Sequence, residues 1–301
     1  MRRIDPRLPI LILLSAVLCG QVALPQVEDF EAEPLCSATC GVPCVLSGAW
    51  SNATDDGADW RIHAGPTPST GTGPSIDFDP GDALGHYAYV EASNACSPSQ
   101  EAWLLSPVLD PGSAAVLRFR YHQRGADMGT LSVDQQEPLR HVDGAIVGAT
   151  ETLSSPSADF SPLSPGMHVA IVGSLANDGV FPIVQVVDAN TLVLDTGGAA
   201  VDEGALTFDA WHPEGPWTLD LFGPVTGDQD AWQSAACVPL EVSGAETRLR
   251  FAAVTGLGFL SDMAVDAVAI DSPAPVDLAV EVLAVEAPGC GQTQTSLSAL
   301  L

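Results

Sequence analysis

Asp55-Asp56-Gly57-Ala58-Asp59-Trp60 begins the stretch that decides the fold. It continues through Gly65-Pro66-Thr67-Pro68-Ser69, Gly85-His86-Tyr87-Ala88-Tyr89-Val90 and Ala102-Trp103-Leu104-Leu105-Ser106-Pro107. Beyond it lie Leu117-Arg118-Phe119-Arg120-Tyr121-His122 and Met128-Gly129-Thr130-Leu131-Ser132-Val133. Short alternating runs separated by Gly, Pro, Ser and Asp clusters are the pattern of antiparallel strands and turns. In the best of these runs Leu117, Phe119 and Tyr121 are predicted on one face of a sheet. Arg118, Arg120 and His122 are predicted on the other.

The chain has 301 residues, 38 acids, 10 bases and a formal charge of −28, and every base is Arg. With 46% hydrophobic residues it can bury a substantial core. So acidic a surface repels phosphate backbones and anionic lipid, which argues against nucleic acid as a partner. The N-terminus has a basic start, an apolar run at Leu8–Leu18 and a small-residue exit, the form of a secretory signal over residues 1–23. That run is too short to span a bilayer, and no other segment is long enough. Cys19 offers a lipid attachment site, but ordinary cleavage around Gly20–Ala23 is the expectation. Export, with Cys36, Cys40, Cys44, Cys96, Cys237 and Cys290 remaining, points to disulfides. The Cys36/Cys40/Cys44 spacing would also suit a metal, but no fourth Cys or His lies nearby.

Taken in order, the motifs resemble the MAM domain, an extracellular jelly-roll β-sandwich used in adhesion and as an accessory module, and its bacterial members most of all. The matching pieces include Asp29-Phe30-Glu31, Trp50-Ser51-Asn52, Gly227-Asp228-Gln229-Asp230, Leu249-Arg250-Phe251 and Ala264-Val265-Asp266. The fold class expected is all-β, a jelly-roll sandwich in two parts, residues 27–135 and 213–272. Residues 136–212 interrupt it with strand-like runs and an Asp178-Gly179 hairpin signal. They read as a nested small β module, or else as a long edge hairpin of the sandwich. Ser272-Pro273-Ala274-Pro275 reads as a linker, and residues 273–301 resemble the truncated start of an immunoglobulin-like repeat.

The resemblance also implies site residues. It places a calcium ion at Glu31 and Asp266, with Asp59 as a third ligand, although Ala267 stands where the family often has a second Asp. It puts the usual partner of Cys96 at Val108, so Cys96 must pair elsewhere, with Cys44 or Cys237 among the candidates. Of the six tryptophans, most fall in strands assigned to the core, and Trp211 is the one expected to face a ligand. No His-Glu-x-x-His, Gly-x-Ser-x-Gly or phosphate-loop pattern occurs, so no enzyme is expected. The function implied is binding or adhesion to an extracellular protein or glycan, or to a second copy. The alternative is an accessory module of a larger secreted hydrolase.

Overall fold

The computed structural model describes residues 22–271 apart from 94–95, 111, 113–114 and 243. The expected signal, except for its last two residues, and the expected linker and immunoglobulin-like start lie outside the described residues. The described chain is nearly all β, with one short 3-10 turn at Gly148–Thr150.

Two antiparallel sheets face each other. One has five strands, formed by β3 (Ser51–Asn52), β6 (Glu101–Leu105), β9 (Thr130–Gln136), β16 (Trp217–Val225) and β18 (Arg248–Val254), in the order β16-β9-β18-β6-β3. The other orders β17 (Gln229–Pro239), β8 (Val116–Gln123), β19 (Met263–Asp271), β5 (His86–Val90) and β4 (Trp60–Ala64). In that sheet β2 (Gln26–Glu28) also pairs with β19. The short strands β1 (Val22–Ala23) and β7 (Leu109–Asp110) pair in parallel at the margin.

Alternation along the strands builds the core. On β8, Leu117 and Phe119 are buried in it and Tyr121 packs at its edge, while Arg118 points to solvent. Phe251 sits at the aromatic centre, with Trp50, Trp60 and Phe119 rings at centroid distances of 5.8, 6.4 and 4.9 Å. Trp103 and Trp217 instead lie on the outer face of the five-stranded sheet, where the Arg250 guanidinium stacks against both rings, at 4.4 and 4.6 Å. Arg250 is also tied to the buried Asp134 at 2.6 Å. Such a stacked, paired guanidinium covers a sheet face without wasting its charge.

Between β9 and β16 the chain leaves the sandwich and closes a six-stranded barrel. Its strands are β10 (Leu139–Val147), β11 (Thr152–Ser154), β12 (His168–Val172), β13 (Gly179–Asp188), β14 (Thr191–Leu194) and β15 (Glu203–Ala210). The ring order is β10-β11-β14-β13-β12-β15. The barrel therefore has no free strand edge, unlike a hairpin extending the sandwich. It has its own core of Phe160, Met167, Val169, Leu192, Leu194, Phe208 and neighbours. Trp211 belongs to that core. It was expected to face a ligand, but it directly follows β15 and is only 8% exposed. Apolar burial has claimed this ring.

The two units meet at His168 on β12, whose backbone N–H and Nδ1 both reach the buried Glu246 Oε1, at 2.8 and 3.0 Å. That contact holds the His168 pKa above its ordinary value, while burial holds Glu246 above its own. Because the two cores are separate, Phe208→Ala is expected to cost the barrel about 3–5 kcal/mol while leaving the sandwich intact. Calorimetry should show one early transition and one unchanged. A single transition shifted as a whole would contradict independent cores.

Candidate binding cleft

A cleft of about 500 Å³ opens between the cysteine loop and the segment that leads into β4. Its construction follows from three short-range devices. First, two disulfides interlock, Cys36 with Cys44 and Cys40 with Cys96. The partner of Cys96 is thus Cys40, not Cys44 or Cys237; Cys237 is itself disulfide-bonded. Cys36 N–H also donates to Ile62 C=O at 2.9 Å, docking the loop on β4.

Second, Asn52 stitches the edge of the five-stranded sheet. Its Nδ2 donates to Cys44 C=O and Trp60 C=O at 3.0 and 2.9 Å, and its Oδ1 accepts from Trp60 N–H at 2.8 Å. Third, two carboxylates fix the walls. Asp59 Oδ2 accepts from Cys44 N–H at 2.7 Å, and Asp56 Oδ2 accepts from Trp103 N–H at 2.6 Å. Burial pushes the Asp56 pKa up to about 6, with Asp59 and Asp55 adding like-charge repulsion. Arg61 on β4 also lines the cleft. It is 1% exposed, donates through Nη1 to Ser37 C=O, and its Nε has no partner.

The three carboxylates expected to share calcium are engaged separately. Asp59 serves the cysteine loop, as above. Glu31 Oε1 accepts from His86 N–H at 2.6 Å. Asp266 is fully buried, its Oδ2 accepting from Phe78 and Asp79 N–H at 2.8 and 3.2 Å and its Oδ1 from Ala267 N–H. Among the described residues, no group of three His, Cys, Asp or Glu side chains is placed to hold a metal.

Asp266 belongs to a polar layer that sequence reasoning missed. Residues 65–85 fold over the outer face of the six-stranded sheet, against the buried Tyr87, Asp262 and Asp266, with Asp77 of the loop buried as well. Tyr87 donates to Gly65 C=O at 2.6 Å, and Trp232 Nε1 donates to Ile76 C=O at 3.1 Å. Gly85 has to be glycine, because a Cβ there would lie 2.0 Å from Asp77 Oδ2. His122, predicted on this face, is held by burial at a pKa of about 4 and so stays neutral near pH 7. Only the density of Gly and Pro in 65–85 hinted at a covering loop.

A smaller cleft of about 370 Å³ lies where β8 meets the turn between β16 and β17, lined by Tyr121, Gln123, Pro224, Gln229 and Gln233. Both clefts sit at strand margins and loops, the places where sandwiches present contact surfaces.

Known proteins can now be set beside this geometry. Residues 29–154 match the MAM domain, meprin/A5/mu. That segment runs from the start of the cysteine loop, through the larger cleft and strands β3 to β9, into the second strand of the barrel. Human zonadhesin is 34% identical over 120 residues, 39% of this chain and 4% of its own length. Neuropilin-1a of Danio rerio is 36% identical over 83 residues, 27% of this chain and 9% of its own length. The chain thus spans less than a tenth of either relative. Among solved structures, the K1 cleaved adhesin domain of Lys-gingipain from Porphyromonas gingivalis W83 is 15% identical, with a TM-score of 0.32. That alignment covers 82% of this chain and 98% of the domain. The K2 cleaved adhesin domain of Lys-gingipain is 11% identical, with a TM-score of 0.34 and coverages of 82% and 97%.

The buried acids make stability depend on pH. Burial raises Asp262 to about 7, helped by the nearby Glu91, and raises Asp266 to about 7. An acid whose folded pKa exceeds its unfolded one adds stability below the unfolded value, about 3.9. That contribution is lost as the pH rises through about 7. The melting midpoint is therefore expected to be higher at pH 5 than at pH 8. Asp262→Asn should narrow the gap by raising the pH 8 value. An unchanged gap in the variant would exclude Asp262 as its source.

Proposed function

We propose that this chain is a non-catalytic binding module of the extracellular space, acting through contacts with a protein or glycan. The match of residues 29–154 to the MAM domain carries the reading. Two interlocked disulfides support an oxidising compartment. The charge of −28 favours partners that are neutral or basic at their contact surface over nucleic acid. Among the described residues no helix is long and apolar enough to cross a membrane. The contact surface is provided by loops and strand margins, where the two clefts lie, with the sheets as a rigid support.

The test is to pass the labelled chain over arrays of oligosaccharides and of extracellular protein ectodomains, itself included, and to recover the ligands afterwards. Saturable binding with ligands recovered intact is the expected result. Cleaved ligand would overturn the non-catalytic reading, and absence of binding on every array would overturn the module reading.

A further inference from the structure

We propose that the junction between barrel and sandwich is a pH-gated latch, in which a proton shared by His168 and the buried Glu246 holds β12 against the loop between β17 and β18. Loss of that proton releases the loop. The latch stands apart from the binding-module reading and concerns how the two units are joined.

The first ground is the closeness of the contact. The backbone N–H and Nδ1 of His168 converge on one oxygen, Glu246 Oε1, at 2.8 and 3.0 Å. Gly244 lies two residues earlier in the same loop. A Cβ there would stand 2.4 Å from Val180 Cγ2 on β13 and 3.6 Å from Ala170 Cβ on β12. Its φ of +88° is also in the left-handed region that favours glycine. The loop therefore lies directly against the barrel wall, and Val108 of the sandwich packs on the barrel core.

The second ground is that Glu246 depends on His168. Its side chain is fully buried, and Oε2 has no hydrogen-bond partner. Among the described residues its one ion-pair partner is His168. A buried carboxylate is tolerated while its partner is charged and carries the full cost of desolvation when it is not.

The third ground is the company His168 keeps. Asp110 on β7 lies 3.9 Å from the same Nδ1. β13 pairs Gly179–Pro182 with β12 and sets no charged residue opposite it. β15 brings Asp209, which is spent on Arg140, and Glu203, which accepts from Ser174 and Asn177. Glu241, at the start of the loop, is exposed. The groups that face His168 are thus two acids, and both favour the imidazolium. Glu246 holds the His168 pKa above its ordinary value, and burial holds Glu246 above its own. The closed junction then binds more protons than the open one. Closure is favoured at mildly acidic pH and is lost as the pH rises through the raised His168 value.

The test is hydrogen exchange on the full chain, followed residue by residue by NMR and corrected for the intrinsic pH dependence of exchange. The amide of residue 168 is expected to lose at least about threefold in protection between pH 6 and pH 8.5, relative to the Phe208 and Phe251 amides of the two cores. Glu246→Gln keeps an oxygen for that N–H but carries no charge, and His168→Gln keeps a side-chain donor that does not titrate. Each is expected to flatten the pH response. Gly244→Ala wedges the loop off β13 without touching either ionisable group, and is expected to lower protection at both pH values. A flat native profile would overturn the latch, as would a response that survives both glutamine variants. If a glutamine variant loses core protection, the imidazole titration of the native chain decides. A His168 pKa above that of exposed histidines supports the latch, and one at or below it overturns the latch.

Discussion

Hydrogen bonds from backbone N–H groups to carboxylates hold loop after loop of the described chain in place. Glu33 receives Ser47 and Gly48, Asp77 receives Gly81 and Asp82, and Asp266 receives Phe78 and Asp79. Asp262 receives Ala92 and Asp228 receives Gly125. The barrel repeats the device, with Asp143 receiving Ser157, Glu151 receiving Gly198 and Glu203 receiving Leu175. Loops necessarily carry backbone donors that no ladder satisfies, and a charged acceptor makes a stronger bond than a neutral one. In a chain with 38 acids and 10 bases, much of the acidity is therefore structural, not merely a solubilising coat.

The cost of this arrangement appears where the acceptors are buried. Asp262 and Asp266 receive donors that favour ionisation, yet desolvation outweighs them and lifts both to about 7. Asp56 lies between these cases. It is near enough to water to be raised only to about 6, and close enough to the cysteine loop to shape a cleft. The same chemistry thus yields covering loops in one place and a concave, partly desolvated surface in another.

How much was legible in the sequence depends on the range of the forces involved. The alternation of Leu117, Phe119 and Tyr121 against Arg118, Arg120 and His122 is local, and the sheet faces follow it. The motif order from Asp29 onward pointed to the family that residues 29–154 match. Trp211 misled because its neighbours look like an exposed exit from a module. Only the closing of six strands on one another shows that the ring is enclosed. Disulfide pairing is also non-local, since Cys40 reaches Cys96 across 56 residues. Glu31, Asp59 and Asp266 carry the right oxygen chemistry for a cation, but the sequence does not say which backbone N–H groups arrive first. Arg61 gave no signal at all, because an unpartnered nitrogen is a property of the packed molecule.

The attachment of the barrel has a mechanical meaning. Gln136 pairs with Trp217, and Glu137 N–H donates to Pro216 C=O at 2.7 Å, so the chain returns to the point it left. Tension drawn through the sandwich passes across that ladder and bypasses the barrel. The barrel is a side branch, and its melting would not lengthen the path along which a pull travels.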